Sequence, residues 1–323
     1  MIRVAIIGAG ISGLSLAQLL SAKAKVTIFE KSRAPGGRMA TRRAQSYAFD
    51  HGTQFFTVKT NEFKSFINPL LQAGCIEPWQ AKFAEISKDK ILRFTQWQAD
   101  HHQHYVGVPG MNAVGKYLAR GLEVKYSTKV ETILTAKSWR LFDDEKQYLG
   151  EYDLVVFACP AMQAYSLAPD FFEFKANLAV KMLGCYALML GFDNDLAFPF
   201  DAALVKESII SWISVNSSKP RRKNDTSILV TSTNMWADAH IDDDLDILMP
   251  QLLAAASTAV GLDLSIAKHK ALHRWRFANI SRQSNQVYFD KRNGLAAIGD
   301  WTIHGRVESA FHSALSLFKA LSI

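Results

Sequence analysis

The sequence of 323 residues has few cysteines and no long hydrophobic run. Its three cysteines, Cys75, Cys159 and Cys185, lie far apart and form no CxxC pair, which argues against a disulfide framework and a zinc site. No apolar run approaches the roughly 20 residues that a membrane-spanning helix needs. Charged residues make up 21% of the chain, an ordinary fraction for a globular enzyme. We therefore expect a cytoplasmic protein that has neither disulfides nor a membrane segment.

The sequence also lacks a constellation for metal binding or nucleophilic catalysis. It shows no Ser-His-Asp arrangement and no acidic dyad, so we predict no side chain that acts as catalytic acid, base or nucleophile. The histidines His101, His102 and His104 come closest to a metal tract, but their polar neighbours are typical of a loop. We predict no bound metal.

The net charge of +7 suggests nucleic-acid binding, but the basic residues form two short groups and no long tract. The first group, within residues 31–43, lies beside a glycine-rich motif and suits the neutralisation of phosphates in a small dinucleotide. The second group, within residues 219–223, lies in a stretch rich in serine, proline and asparagine. We interpret it as a solvent-exposed loop and predict no nucleic-acid partner.

The most informative motif is the glycine triplet Gly8, Gly10 and Gly13. It follows the apolar residues 4–7, which are typical of a buried parallel strand, and it precedes an apolar helical stretch over residues 14–20. Glycines at such a turn let the backbone approach a pyrophosphate at the positive end of the helix. The motif therefore predicts a site for an adenine dinucleotide. Because these apolar residues form a strand and a helix, we do not expect a cleaved signal peptide.

Glu30 is the second part of this pattern. It ends another apolar run, residues 26–29, where a carboxylate can accept a hydrogen bond from a ribose 2′-hydroxyl. A 2′-phosphate would be repelled there, so the bound nucleotide should lack one. Gly36, Gly37 and Arg38 follow at short spacing. Together these signals favour FAD as the nucleotide.

The order of predicted elements indicates an α/β fold with two domains. A nucleotide domain would comprise residues 1–60, 105–164 and 271–323, and a substrate domain, inserted in two parts, would comprise residues 61–104 and 165–270. Helical periodicity predicts helices near residues 63–71, over 245–260 and at the end of the chain. Strands are predicted over residues 153–158 and as a pair within 124–133, and several alternating strands predict a largely antiparallel sheet in the substrate domain.

Four segments resemble the renalase family, within the flavin-containing amine oxidase superfamily, and most of all its bacterial members. They are residues 36–43, 50–57, 106–111 and 299–308, the last of which contains Gly299, Asp300 and Gly305 before a long helix. The resemblance implies a Rossmann-like FAD domain, noncovalent FAD and a small dinucleotide as substrate. It also implies an activity: oxidation of the 2- and 6-dihydro isomers of NAD(P)H to NAD(P)⁺, with O2 as acceptor and hydrogen peroxide as second product.

The resemblance also implies a set of site residues. The cofactor would be bound by Gly8, Gly10, Ser12, Gly13, Glu30, Lys31, Gly37, Arg38, Val130, Gly299, Asp300 and Val307. The substrate side would be lined by Phe56, Thr57, Val58, Lys59, Thr60, Thr95, Gln96, Trp97, Tyr186 and Ile303. The transfer is loosest near Thr95, where the loop length is uncertain. For residues 273–276 the sequence leaves two interpretations open: a strand facing the cleft, where an arginine binds substrate phosphate, or a surface strand.

The predicted chemistry needs few ionisable groups. A dihydronicotinamide ring becomes an aromatic pyridinium when it gives up a hydride, so no base has to remove a proton from the donor carbon. One alternative is an FAD-dependent amine oxidase or dehydrogenase acting on another small donor. Another is a non-catalytic protein-binding relative of the same fold, against which the intact glycine motif argues. No protein partner is evident from the sequence.

Overall fold

The computed structural model describes residues 1–95, 103–193, 196–222, 225–283 and 287–322. The predicted site residues Gln96 and Trp97, and also His101 and His102, lie outside the described residues. The chain forms an α/β fold with two main sheets, one mostly parallel and one mostly antiparallel. This is the fold class that the order of elements predicts.

The described strands in chain order are β1 (Arg3–Ile7), β2 (Lys25–Phe29), β3 (Arg42–Ala44), β4 (Tyr47–Phe49), β5 (Phe56–Thr57), β6 (Ile76–Pro78), β7 (Phe83–Ser87), β8 (Lys90–Thr95), β9 (His104–Gly107), β10 (Glu123–Lys125), β11 (Val130–Thr135), β12 (Trp139–Asp143), β13 (Tyr148–Tyr152), β14 (Leu154–Phe157), β15 (Leu183–Phe192), β16 (Ala202–Lys206), β17 (Ile210–Val215), β18 (Thr226–Ser232), β19 (His269–Asn279), β20 (Tyr288–Asp290) and β21 (Leu295–Ala297). The described α-helices are α1 (Ile11–Leu20), α2 (Asn61–Gln72), α3 (Asn112–Leu118), α4 (Ala161–Leu167), α5 (Asn234–Ala239), α6 (Leu245–Val260) and α7 (Val307–Leu321).

The first main sheet has the strand order β10-β2-β1-β14-β21-β20. All of its pairs are parallel except β20 with β21. The buried residues of its central strands are almost all apolar, because helices α1 and α7 cover one face and a second apolar cluster covers the other. Because the strands are parallel, their carboxyl ends meet at one edge. The glycine motif after β1, Glu30 after β2 and Gly299 after β21 therefore lie at the same edge.

The second main sheet has the strand order β19-β15-β18-β17-β16-β7-β8 and is antiparallel apart from the pair of β16 with β7. Alternate residues of β15 point to opposite faces. Leu188 and Leu190 belong to the apolar cluster that contains Leu248 and Leu252 of α6. Ala187 and Met189 instead contact a cluster that includes residues of β4, in the first domain. The second sheet thus has one face against its own helix and one face against the nucleotide domain.

Two segments lie outside the domain that the predicted boundaries assign to them. β19 pairs with β15 as far as Asn279, so residues 271–279 belong to the second sheet, although the boundary prediction places them in the nucleotide domain. α2 was assigned to the substrate domain, but its Phe63 packs against Phe311 of α7 in the core of the first domain. Strand pairing and apolar contact decide these placements, and neither is visible in linear order.

The strands within residues 124–133 also differ from their prediction. β10 and β11 form there, but they do not pair with each other: β10 pairs with β2, and β11 pairs with β12. The connection between β10 and β11 contacts the segment after β2: the backbone N–H groups of Ser127 and Thr128 donate to the carbonyls of Ser32 and Glu30. The predicted helices are confirmed, with α6 spanning Leu245–Val260. Among the described helices, none combines the length and apolar character required to span a bilayer.

Candidate functional site

The turn between β1 and α1 leaves a gap beside the backbone. A Cβ atom at Gly13 would collide with the carbonyl oxygen of Gly8, so the helix approaches the strand as closely as glycine permits. A Cβ atom at Gly10 would meet no heavy atom within 4 Å. Gly10 is also the N-cap of α1 and provides no side-chain hydrogen bond, so the first N–H groups of the helix have no side-chain cap. This open, positively polarised cradle suits a pyrophosphate.

Glu30 is buried at the carboxyl end of β2 and contacts two neighbouring segments. Its Oε2 accepts the N–H of Ala9 at 2.8 Å, and its Oε1 accepts the N–H of Ser32 at 2.8 Å. A carboxylate oxygen has a second lone pair, so each oxygen can still accept a ribose hydroxyl. The Thr128 N–H donates to the Glu30 carbonyl at 3.0 Å and brings the predicted residue Val130 to this corner. Ser12 is buried in the first turn of α1, and Lys31 is exposed beside Glu30.

Arg38 connects the motif near residue 36 to the end of the chain. Its Nη2 forms an ion pair with the Asp300 carboxylate, and its Nη1 donates to the Ala278 carbonyl at 3.0 Å. A Cβ atom at Gly37 would lie 3.4 Å from the Gly10 Cα, so the Arg38 loop borders the cradle at α1. The structure thus brings three sequence-distant segments together, as the predicted cofactor site requires.

The segment from Gly299 to α7 forms the opposite wall of this region. The Gly299 N–H donates to Ser313 Oγ at 2.9 Å, and the Asp300 carbonyl accepts N–H groups of residues 303–305. α7 then begins at Val307, and its N-cap, Arg306, makes no side-chain capping bond. The start of α7, like that of α1, therefore lacks a side-chain cap. Ile303, predicted on the substrate side, lies four residues before Val307.

Glu308 ties the predicted substrate segment to α7. Its carboxylate accepts the N–H groups of Lys59 and Thr60 at 3.0 and 2.8 Å, and also the Thr60 hydroxyl at 2.6 Å. The Thr60 hydroxyl lies 2.9 Å from His312 Nε2, one turn further along α7. Lys59 and Thr60 are therefore held beside Val307, although about 250 residues separate them in sequence.

The other predicted substrate residues occupy different surroundings. Phe56 is a core residue whose ring lies against Tyr105 and Phe63, and Thr57 pairs with His104 in the ladder of β5 and β9. Val58 packs partly buried against the same core. Thr95 ends β8, at the edge of the second sheet.

Tyr186 does not join the group around α7. It points to the face of the second sheet that packs against α6, and its hydroxyl donates to the His240 carbonyl at 2.6 Å. Its ring packs edge-on against Trp236, and the Arg274 guanidinium lies over it. The neighbouring Ala187 is the residue that faces the nucleotide domain. The strand alternation of β15, which the resemblance does not reveal, decides this orientation.

The strand at residues 273–276 has two different faces, and on neither of them does an arginine face the nucleotide domain. His273 and Trp275 face the nucleotide domain, where their rings contact His51, and the Trp275 indole donates to the His51 carbonyl. Arg276 instead forms an exposed ion pair with Asp242. Burial and the neighbouring His273 lower the pKa of His51 to about 4, so His51 is neutral at physiological pH.

Asp50 is the centre of a cluster to which sequence reasoning assigned no role. Its Oδ1 accepts the Thr41 hydroxyl at 2.7 Å and the Met111 N–H at 2.9 Å. Its Oδ2 accepts Arg222 Nη2 at 2.7 Å and Lys219 Nζ at 3.3 Å. Asp50 lies in one of the four segments that resemble the renalase family, whereas no motif of the sequence points to Lys219 or Arg222.

The side chains of Lys219 and Arg222 are 0% and 2% exposed, so the prediction of a solvent-exposed loop over residues 219–223 is wrong for these two. Among the basic residues Lys219, Arg221 and Arg222, only Arg221 has an exposed side chain. Burial disfavours the Asp50 carboxylate, but the charges of Lys219 and Arg222 outweigh it and lower the pKa of Asp50 to about 2. Burial lowers the pKa of Lys219 to about 8, although Asp50 opposes that shift. The positive charges of Lys219 and Arg222 are therefore stabilised by the ion pairs with Asp50 and not by solvent.

The residues at the shared sheet edge fit an FAD molecule. The open space at Gly10 and the uncapped amides of α1 suit the pyrophosphate, and Glu30 retains acceptor capacity for the ribose. Arg38 and Asp300 lie between this cradle and the start of α7, where the flavin half would extend. In the described part of the chain, no group of three metal-ligating side chains comes together.

Comparison with known proteins gives two family matches. Residues 6–70 match the NAD(P)-binding Rossmann-like domain, and residues 77–316 match the flavin-containing amine oxidoreductase family. The second match spans well over half of the chain.

Solved structures of similar shape cover nearly the whole chain. The provisionally named protoporphyrinogen oxidase of Exiguobacterium sp. 255-15 has a TM-score of 0.79 at 12% identity, over 99% of this chain and 98% of that one. A triple mutant of putrescine oxidase has a TM-score of 0.76 at 12% identity, over 99% and 98% of the two chains. Wild-type putrescine oxidase bound to putrescine has a TM-score of 0.72 at 11% identity, over 99% of both chains. At such identities the likeness shows a shared fold.

Proposed function

This chain belongs to the flavin-containing amine oxidoreductase family, with FAD as its cofactor, and we propose that it oxidises the 2- and 6-dihydro isomers of NAD(P)H. The balanced reaction converts one dihydro isomer, O2 and a proton into NAD(P)⁺ and hydrogen peroxide. Bound FAD supplies the redox chemistry, in which a hydride equivalent leaves the donor ring and two electrons pass to oxygen. The same proposal includes the cytoplasmic location expected from the sequence.

In this proposal the chain contributes binding and orientation. The amides of α1 and Arg38 neutralise the cofactor phosphates, and Glu30 accepts hydrogen bonds from the ribose. The uncapped start of α7 presents partial positive charge to the ring. Neutral His51 and Trp275 form an apolar wall between the domains that excludes water. None of these groups has to remove a proton from the substrate.

One observation favours this proposal over an amine oxidase: three carboxylates near the domain junction and the start of α7 already have donors within the protein. Asp50 accepts four donors, Asp300 pairs with Arg38, and Glu308 accepts the amides of Lys59 and Thr60. These carboxylates therefore do not stand ready to pair with an ammonium group, whereas a dihydronicotinamide ring needs stacking and orientation. The second candidate is an amine oxidase or dehydrogenase, which the family description and the fold shared with putrescine oxidase favour.

Anaerobic mixing of the FAD-loaded protein with borohydride-generated dihydro-NAD isomers tests the proposal. We expect rapid bleaching of the yellow flavin absorbance by the 2- or 6-dihydro isomer, and a slow response to ordinary NADH and to amines. Readmission of air should restore the colour and release hydrogen peroxide in equal amount. Bleaching by amines alone would support the second candidate. A protein that stays colourless after reconstitution with FAD would exclude both enzymes.

A further inference from the structure

Three exposed cationic side chains come from segments that meet at the start of α7: Lys59, Arg282 and Arg306. We call these three residues the cationic rim. Arg306 is the N-cap of α7 and directly precedes Val307. Lys59 donates its backbone N–H to Glu308 at 3.0 Å, so its side chain begins next to the first turn of the helix.

Arg282 reaches the same place from the end of the second sheet. The next residue, Gln283, donates its N–H to the Ile303 carbonyl at 2.7 Å. A Cβ atom at Gly305 would lie 3.0 Å from Ile280 and 3.2 Å from Asn279, which shows that residues 279–283 run alongside residues 303–305. The three cations therefore belong to neighbouring pieces of one surface, beside the uncapped helix.

The rim carries positive charge that the protein does not neutralise. None of its three members forms an ion pair with a carboxylate in the described ranges of the chain, whereas Arg276 on the adjacent strand pairs with Asp242. Glu308, in the first turn of α7, adds one negative charge beside the rim and accepts the amides of Lys59 and Thr60, and the three cations outnumber it. A rim of this kind attracts phosphate and repels ammonium groups.

We propose that the cationic rim binds the pyrophosphate of a dinucleotide substrate whose dihydronicotinamide ring lies against the cofactor. This inference rests on the proposed function and extends it from the ring to the rest of the substrate. Two phosphate charges matched by exposed lysine and arginine side chains raise affinity and capture rate. The phosphates are remote from the reacting carbon, so the rim acts on KM and leaves kcat unchanged.

A pair of double variants tests this assignment. Lys59→Gln with Arg306→Gln removes two rim charges, and Lys291→Gln with Arg292→Gln removes two exposed charges from the turn before β21. Because that turn precedes β21, it lies at the amino edge of the first sheet, away from the rim. Both double variants remove two positive charges, so the control matches the change in net charge. Both are compared with the parent protein on dihydro-NAD isomers, which contain a pyrophosphate, and on dihydronicotinamide riboside isomers, which contain none.

We expect the rim variant to raise KM for the dinucleotide about tenfold, with kcat and the riboside KM unchanged, because each exposed charge pair contributes less than tenfold. The control should behave like the parent protein. An unchanged dinucleotide KM in the rim variant would overturn the inference. Equal increases for dinucleotide and riboside would also overturn it, since they would show a general disturbance of the site.

A binding measurement gives a second readout that does not depend on turnover. ADP-ribose carries the pyrophosphate without a nicotinamide ring, and its binding to the FAD-loaded protein can be followed by calorimetry. We expect binding by the parent protein and the control, and about tenfold weaker binding by the rim variant. Absence of ADP-ribose binding in the parent protein would overturn the assignment of the rim as a pyrophosphate site. If the dihydro-NAD isomers are oxidised while ADP-ribose does not bind, the proposed function survives and the rim fails. If neither dihydro-NAD isomer is oxidised, the proposed function fails.

Discussion

Polar groups at the start of α1 and polar groups around Asp50 are used in opposite ways. At α1, the first amides have no side-chain cap, and a Cβ atom at Gly10 would enter empty space. Around Asp50, each carboxylate oxygen accepts two donors, and the partners are buried with it. Donors that the chain leaves without a partner are available to a ligand. A carboxylate with four donors stabilises the junction of the two domains.

The largest effect is expected at Asp50. Asp50→Asn leaves Lys219 and Arg222 buried without a negative charge, and breaking a buried ion pair in this way costs about 3–5 kcal/mol. Urea unfolding of the apoprotein measures the free energy of unfolding. Asp170→Asn is the control, because Asp170 pairs with Lys175 at an exposed site and its loss should matter little. Equal losses in both variants would show that the Asp50 junction does not depend on its charge.

The converse change fills the ligand cradle. Gly10→Asp places a carboxylate at the start of α1, where it caps the helix and repels a pyrophosphate. We expect FAD affinity to fall about a hundredfold or more, while the melting temperature of the apoprotein does not decrease. FAD retained through gel filtration measures the effect. Gly121→Asp adds the same charge in an open turn elsewhere; because φ of +73° strains an aspartate there, this control is compared for FAD retention and not for melting temperature. Normal retention by the Gly10 variant would mean that the pyrophosphate lies in another place.

The pH dependence of the free energy of unfolding tests the cluster around Asp50 without a substitution. The pKa of Asp50 is lowered from an ordinary 3.8 to about 2 in the folded protein, so its stabilisation is present above pH 4 and is lost as the pH falls towards 2. The loss is on the order of 2 kcal/mol. The pKa of Lys219 is also lowered, to about 8, so the folded protein loses that proton first and stability should rise again between pH 8 and 10.5.

The free energy of unfolding across this pH range checks both signs. Asp50→Asn should reduce the acid-side loss by the share that Asp50 contributes, and Lys219→Met should remove the alkaline rise. A parent protein whose stability is constant from pH 4 to pH 2 would contradict the assignment to Asp50.

The smallest effect on stability is expected at Glu308, which lies in the first turn of the uncapped helix α7 and whose own carboxylate has its donors within the protein. Glu308→Gln removes the charge that holds the amides of Lys59 and Thr60, and we expect a loss of about 1 kcal/mol, with faster hydrogen exchange at those two amides. Exchange measured by NMR or mass spectrometry checks this. Glu62→Gln, exposed in the first turn of α2, is the matched control. Unaltered exchange at Lys59 and Thr60 would show that the charge of Glu308 does not stabilise these two hydrogen bonds.

The site at the first sheet was predictable because its signals are local. Gly8, Gly10 and Gly13 lie within six residues, and the alternation of strand and helix around them places their turn at the carboxyl edge. Glu30 follows the next strand by the same rule. The predicted helix over residues 245–260 has a clear N-cap, Asp244, and a left-handed Gly261 at its end, and its observed bounds agree.

The orientation of side chains in the second sheet was not predictable in the same way. Tyr186 and Ala187 are adjacent, and only the pairing of β15 with β18 and β19 decides which of them faces the nucleotide domain. A shift of one residue in register would exchange the two faces. Lys219 was assigned to solvent because lysine and arginine in a polar stretch are usually exposed.

The sequence by itself determined the α/β class, the nucleotide edge of the first sheet and the family to which the chain belongs, since these depend on short motifs and periodicity. The tertiary structure alone decided the burial of Lys219 against Asp50, 169 residues away, and the attachment of Lys59 to Glu308 across 249 residues. The first contact joins the two domains, and the second joins two distant segments of the nucleotide domain. Their energy comes from desolvated charges and shared hydrogen bonds, which exist only after distant segments have met.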